Sequence, residues 1–176
     1  ELIPEIDKRY RTVDASTARF VTGHSSGGWS SLWLQVNYPE TFGGVWSTAP
    51  DPVDFRDYQE VDLYAKKPLS LYTNPDGDRR PLARRNGQVM IWYEDFGHMD
   101  DGLGRGGQLK SFEAVFSPLD SQGSPLLMWT RDRGDVIPST VKYWVEYDIN
   151  RLIQRRWNVG LREKLAGKIN VFMGTE

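Results

Sequence analysis

The part of the sequence best suited to chemistry is a short run rich in glycine and serine. Its residues are Gly23-His24-Ser25-Ser26-Gly27-Gly28. Ser25 lies at the centre of a G-x-S-x-G pattern, which is typical of a nucleophile elbow, a sharp strand-to-helix turn that projects one serine hydroxyl. Glycine has no Cβ, so the three glycines suit a tight turn and a close approach of helix to sheet. We therefore predict that Ser25 is a nucleophile.

The residues on either side of this run favour the same interpretation. Phe20-Val21-Thr22 precedes Gly23 and has the apolar, β-branched character of a strand. Downstream, apolar residues recur at i, i+3, i+4 and i+7 and predict one helix face: Trp29, Leu32, Trp33 and Val36. Pro39 should end that helix. A five-residue pattern also occurs by chance, so the interpretation depends on the order strand, elbow, helix.

A second group of polar residues follows the next predicted strand. Residues 43–49 should form that strand, and Pro50-Asp51-Pro52 should end it. In open parallel sheets, ligands bind beyond the carboxyl ends of the strands. Asp51, Asp54 and Arg56 are therefore candidates for a substrate-binding loop. The two aspartates could equally shape turns or cap a helix, because aspartate is preferred at both positions.

Other signals place the remaining elements. A helical pattern opens the chain at Leu2. Residues 67–86 are rich in Pro, Gly, Asp and Arg and predict a long surface loop, which an amphipathic helix from Val89 to about Gly102 should follow. Pro138 suits the first turn of a helix of about five turns, bent near Asp148. Residues 168–173 alternate in polarity as a strand does.

Composition excludes several classes of function. The chain has 176 residues, of which 26% are charged, and it holds no apolar run near the ~18 residues that a membrane span needs. A net charge of −2 gives no reason to expect nucleic acid, and we interpret Arg79-Arg80 and Arg84-Arg85 as a solvated loop. The absence of cysteine excludes disulfides and thiolate catalysis. Compartment, whether secreted, periplasmic or cytoplasmic, and oligomeric state stay open.

Five segments of the chain resemble the esterase D-like group of α/β-hydrolases. They are residues 1–11 (ELIPEIDKRYR), 23–28 (GHSSGG), 38–45 (YPETFGGV), 47–57 (STAPDPVDFRD) and 111–118 (SFEAVFSP). The last two are similar to a subgroup with a large insertion, which implies an insertion or lid at residues 59–136. The resemblance implies that residues 1–176 form a single, incomplete α/β-hydrolase domain, with a mostly parallel sheet flanked by helices.

The same resemblance implies a serine-dependent carboxylic ester hydrolase. Its substrates would be small-molecule or sugar-linked esters, and no metal or organic cofactor is implied. Ser25 Oγ would attack the ester carbonyl, and the backbone N–H of Ser26 would help to hold the oxyanion. A second N–H would come from a loop upstream of Glu1.

The partners of Ser25 in a catalytic triad are harder to place. The triad order in this fold is serine, acid, histidine, and the resembled family places its acid just after the strand at residues 168–173, beyond Glu176. The sequence has two histidines. His24 directly precedes Ser25, so its side chain should point away from the base position, and it is a packing or substrate-loop residue. His98 has the right order and is a candidate base, although lone helix histidines are mostly surface residues.

Three accounts remain open at this point. The first is the central piece of an esterase whose oxyanion loop lies upstream and whose acid and histidine lie downstream. The second is a compact hydrolase that uses Ser25 and His98, with Asp51 or Asp54 as the acid. The third is a catalytically silent binding module that keeps the elbow for structural reasons.

Overall fold

A computed structural model describes residues 2–104 and 107–174, which contain both helices and strands. The strands are β1 (Phe20–His24), β2 (Gly44–Thr48), β3 (Pro81–Arg85), β4 (Gln88–Trp92) and β5 (Ile169–Phe172). The α-helices are α1 (Leu2–Arg9), α2 (Ser26–Asn37), α3 (Tyr93–Gly102), α4 (Gln108–Phe116), α5 (Pro138–Trp144), α6 (Ile149–Arg156) and α7 (Leu161–Leu165). Short 3-10 helices cover Ser16–Ala18, Phe55–Asp57, Val145–Tyr147 and Trp157–Val159.

The chain divides into two compact units. Unit 1 is Glu1–Val53 together with Ile149–Glu176, and unit 2 is Asp54–Asp148. Helices combined with a small, mostly parallel sheet make this an α/β protein. The finer assignment to one α/β-hydrolase domain over residues 1–176, with an insertion at 59–136, stays a prediction.

Unit 1 is built on a three-stranded parallel sheet with the order β1-β2-β5. The three strands lie within two residues of the predicted bounds. In the register, His24 pairs with Thr48 and Thr48 with Phe172, so the carboxyl ends of the strands meet at one edge. Helix α2 packs its buried apolar face over this sheet. Burial of side chains such as Val36 and Val45, both fully buried, stabilises that layer by about 1.5–3 kcal/mol each.

Unit 2 contains an antiparallel hairpin and an aromatic core. Strands β3 and β4 pair across a turn at Asn86-Gly87, where φ is 51° and 76°, as a two-residue hairpin turn requires. The core places the ring of Phe55 within 6 Å of three other rings, those of Tyr58, Phe116 and Trp144. The pairs of Phe55 with Tyr58 and with Trp144 are edge-on, an arrangement that the ring quadrupoles favour.

Three expectations about local structure need correction. Residues 88–92 form β4 rather than the start of a helix, because the Asn86-Gly87 turn lets them pair with β3, and the helix begins at Tyr93. The predicted surface loop at 67–86 contains the fully buried Leu71 and ends in strand β3, which pairs with β4. The long helix after Pro138 is broken into α5 and α6, because Asp148 has an extended backbone with ψ of 106°.

Candidate functional site

Ser25 occupies the turn between β1 and α2 in an unusual backbone conformation. Its φ is 56° and its ψ is −123°, a combination that strains a residue with a Cβ by about 1–3 kcal/mol. Hydrogen bonds hold the residue on both sides: the Ser25 N–H donates to the Thr48 carbonyl at 3.0 Å, and the Trp29 N–H donates to the Ser25 carbonyl at 3.0 Å. The sheet and the helix together therefore maintain the strained turn.

The glycines around Ser25 contribute unequally to this turn. A Cβ added at Gly23 would lie 2.2 Å from the carbonyl carbon and oxygen of Gly27, and one added at Gly28 would lie 2.9 Å from the Thr48 carbonyl oxygen. Both positions therefore need glycine. The prediction that Gly27 also serves the close approach of helix to sheet is wrong, because a Cβ there would meet no atom within 4 Å.

A buried serine that the sequence analysis missed fastens α2 to the sheet. Ser47 Oγ of β2 donates to the Gly28 carbonyl of α2 at 2.9 Å, and Ser47 is fully buried. Ser31 Oγ donates to the same carbonyl at 2.9 Å, but it does so from within α2. A signal was present for Ser47, since it alternates with Val45 on the buried face of β2. The Ser47 hydrogen bond contributes about 1 kcal/mol, so it helps to keep the start of α2 against β2.

Asp51 is the predicted loop residue that contacts Ser25. The Ser25 hydroxyl donates a long hydrogen bond of 3.4 Å to Asp51 Oδ1, and the Asp51 N–H lies 3.4 Å from the Ser25 carbonyl oxygen. Both residues are half-buried. The carboxyl ends of β1 and β2 therefore bring a hydroxyl and a carboxylate together, although 24 to 26 residues separate the two segments.

The turn that returns Asp51 to Ser25 contains a second strained residue. Ala49 directly follows β2 with a φ of 40°, and its N–H donates to the Phe172 carbonyl at 2.7 Å. Strained backbone persists where the surrounding structure determines it, and it concentrates at functional sites. Here the adjacent β5 supplies the hydrogen bond that keeps the turn in place.

The neighbours of Ser25 in sequence are both accessible. Ser26 is exposed and begins α2, so its N–H belongs to the first helical turn, whose N–H groups lack partners within the helix. His24 ends β1 and is exposed. A negative charge that develops at the first turn of α2, such as an oxyanion, would therefore face the positive end of the helix dipole.

Asp54 and Arg56 lie in unit 2 and contact each other. Asp54 accepts the backbone N–H of Arg56 at 3.0 Å and pairs with its guanidinium group, the shortest contact being 2.5 Å. The hydrogen bond to Asp54 and its charge raise the pKa of Arg56 above its usual value. This geometry agrees with the alternative in which Asp54 caps a helix, because its carboxylate accepts a backbone N–H of the 3-10 helix Phe55–Asp57.

His98 is an exposed residue of α3 in unit 2. Its Nε2 lies 3.3 Å from the Arg131 carbonyl oxygen, and its ring packs edge-on against Tyr72 with 5.9 Å between centroids. Its role as a base stays a prediction. Glu176, beyond which the resemblance implies an acid, lies outside the described residues.

Metal-binding and membrane-spanning features are absent from the described part of the chain. Residues 2–104 and 107–174 contain no group of three or more histidine, aspartate or glutamate side chains able to hold a metal ion. Over the same ranges, no helix has the length and apolar character needed to cross a bilayer.

No curated protein matches the chain, but a family model does. A family model described as putative esterase matches residues 1–157, a range that includes Ser25 and all of unit 2. This match confirms the esterase resemblance drawn from the sequence, while the narrower esterase D-like, large-insertion subgroup stays a prediction. Because the match covers far more than half of the 176 residues, the chain belongs to the putative esterase family.

Proposed function

We propose that this protein is a serine-dependent carboxylic ester hydrolase with Ser25 as the nucleophile. The observation that carries the proposal is the strained conformation of Ser25, with φ of 56° and ψ of −123°, at the carboxyl end of a parallel strand. Family membership supports the reaction class. A strained serine between a strand and a helix suits a nucleophile, because the turn exposes the hydroxyl above the sheet edge.

The proposed reaction is acyl transfer to Ser25 followed by hydrolysis. Ser25 Oγ attacks the ester carbonyl and transfers its proton to a base, and the same proton then passes to the departing alcohol. In the second half of the reaction, water gives a proton to the base and attacks the acyl-serine. The bond between the acyl group and Ser25 Oγ breaks, the carboxylic acid leaves, and the base returns the proton to Oγ. We propose a histidine as the base, either one beyond Glu176 or His98, since serine needs an adjacent base to become nucleophilic.

The proposed oxyanion donor is the backbone N–H of Ser26. It belongs to the first turn of α2, where N–H groups have no partner within the helix and the dipole favours negative charge. Loss of one oxyanion donor typically lowers kcat by about 10²–10³. Gly23 and Gly28 support this arrangement, because each lets the helix start lie against the sheet.

The test is covalent labelling with a fluorophosphonate probe, read by mass spectrometry of the intact chain and its peptides. Ser25→Ala should abolish labelling. Ser30→Ala is the matched control, because it removes an exposed hydroxyl from the same helix, one that donates to the Ser26 carbonyl at 2.8 Å. Labelling should therefore persist in Ser30→Ala.

The outcome separates the possible functions of the chain. Labelling of Ser25 requires an activated serine and would establish the nucleophile. If His98→Asn then abolished labelling without loss of folding, His98 would be the base. A folded protein that includes any residues beyond Glu176 and still reacts at no serine would overturn the proposal and favour a catalytically silent binding module.

A further inference from the structure

Asp51 gives the Ser25 region a fixed negative charge. The segments at the carboxyl ends of β1 and β2, residues 23–38 and 49–53, contain one residue that is charged at pH 7, and it is Asp51. Helix α2 carries no charged side chain along its entire length. Within the described residues, no lysine or arginine forms an ion pair with Asp51. The Asp51 charge therefore acts on whatever approaches Ser25.

Backbone contacts determine the position of this carboxylate. Asp51 lies two residues after Ala49, and the Ala49 N–H donates to the Phe172 carbonyl. The backbone N–H of Asp51 contacts the Ser25 carbonyl oxygen at 3.4 Å. Asp51 Oδ1 lies 3.4 Å from Ser25 Oγ. The charge is thus held beside the proposed nucleophile by two turns, rather than carried on a long, mobile side chain.

A charge in this position discriminates between substrates by their own charge. A substrate group next to the scissile bond would lie about 8 Å from Asp51. At that distance, the interaction between two unit charges in a partly solvated site changes the affinity for the substrate on the order of tenfold. Attraction favours a cationic group, and repulsion disfavours an anionic one. Neutral groups are affected little.

We propose that Asp51 determines the charge preference of the Ser25 site, which takes esters with a cationic or neutral group beside the scissile bond and rejects anionic ones. This inference rests on the proposed function, because it assigns the substrate class of the same site. Asp51 acts through its charge on the substrate and needs no part in proton transfer.

Three acetyl thioesters of similar size test the proposal. Acetylthiocholine is cationic, S-(3,3-dimethylbutyl) thioacetate is its neutral isostere, and S-acetyl-3-mercaptopropanesulfonate is anionic. The released thiol is measured with a disulfide reagent, and the protein contributes no background because it has no cysteine. The readout is the kcat/KM ratio of cationic to anionic ester, which a uniform loss of activity leaves unchanged.

The variants separate charge from shape. Asp51→Asn should lower the cationic-to-anionic ratio about tenfold or more, while Asp51→Glu should retain the preference. Glu40→Gln is the matched control: it also removes one negative charge, but it lies beyond the other end of α2, a helix of 12 residues and so about 18 Å long. The cationic-to-anionic ratio of Glu40→Gln should equal that of the wild type.

The results distinguish failure of this inference from failure of the proposed function. Turnover that depends on Ser25, with a ratio that Asp51→Asn leaves unchanged, would overturn the inference alone. No Ser25-dependent turnover of any of the three esters would overturn the inference, and it would overturn the proposed function as well only if fluorophosphonate also failed to label Ser25. If Asp51→Asn did not fold, raising salt from about 50 to about 500 mM should shrink the wild-type ratio by screening, and a ratio independent of salt would refute the proposal.

Discussion

Replacement of Gly23 by alanine should destabilise the turn that presents Ser25. The added Cβ would lie 2.2 Å from the carbonyl carbon and oxygen of Gly27, whereas non-bonded carbon atoms are normally about 3.5–4.0 Å apart. The backbone of the elbow must therefore move by more than about 1 Å. Overpacking typically costs about 1–3 kcal/mol. We expect the upper end, about 3 kcal/mol, because the clashing atoms are backbone atoms that no rotamer change can move.

Gly27→Ala is the matched control for this prediction. The substitution is chemically identical and lies four residues away, but its Cβ would meet no atom within 4 Å. Gly27 is in the first turn of α2, and alanine is favoured over glycine within a helix by about 0.5–1 kcal/mol. We therefore expect Gly27→Ala to be neutral or slightly stabilising.

Urea and thermal unfolding, followed by tryptophan fluorescence, measure both variants. In a chain of this size, 1 kcal/mol corresponds to about 2–4 °C in Tm, so Gly23→Ala should lower Tm by about 6–12 °C. It should also abolish fluorophosphonate labelling at Ser25. A Gly23→Ala protein as stable as the wild type, or a Gly27→Ala protein equally damaged, would refute this account of the elbow.

Three further predictions concern hydrogen bonds and pH. Ser47→Ala should lower the free energy of unfolding by about 1 kcal/mol, measured in urea, because it removes a buried hydrogen bond to Gly28. Asp148→Asn should lower it by about 1–3 kcal/mol in the same assay, because the buried carboxylate accepts a backbone N–H and a tyrosine hydroxyl. Burial, opposed by a hydrogen bond from Arg131, raises the pKa of Glu113 above its ordinary value of 4.5. The folded state then retains this proton to higher pH than the unfolded state, so wild-type stability should fall relative to Glu113→Gln as pH rises above about 4.5. The prediction would be contradicted if the free energy of unfolding, measured in urea over a pH series, depended on pH equally in the two proteins.

The elements around Ser25 could be predicted because they depend on short-range patterns. The apolar, β-branched approach at residues 20–22, the helical spacing after Gly28 and the stop at Pro39 each involve residues a few positions apart, and β1 and α2 lie within two residues of where these patterns place them. The same reasoning failed at residues 88–92. Their apolar spacing fits a helix as well as a strand, and only pairing with β3 decides between the two.

The sequence by itself determined the order strand, elbow, helix and the absence of cysteine chemistry, because turn geometry and side-chain chemistry are local properties. Only the tertiary structure decided that Asp51 contacts Ser25, that Ser47 reaches the Gly28 carbonyl, and that Gly27 is sterically free. These facts depend on the parallel pairing of β1 with β2 and on the packing of α2 over them. Such contacts join segments about 20 residues or more apart, and the backbone positions that create them are set by the whole sheet rather than by any local pattern.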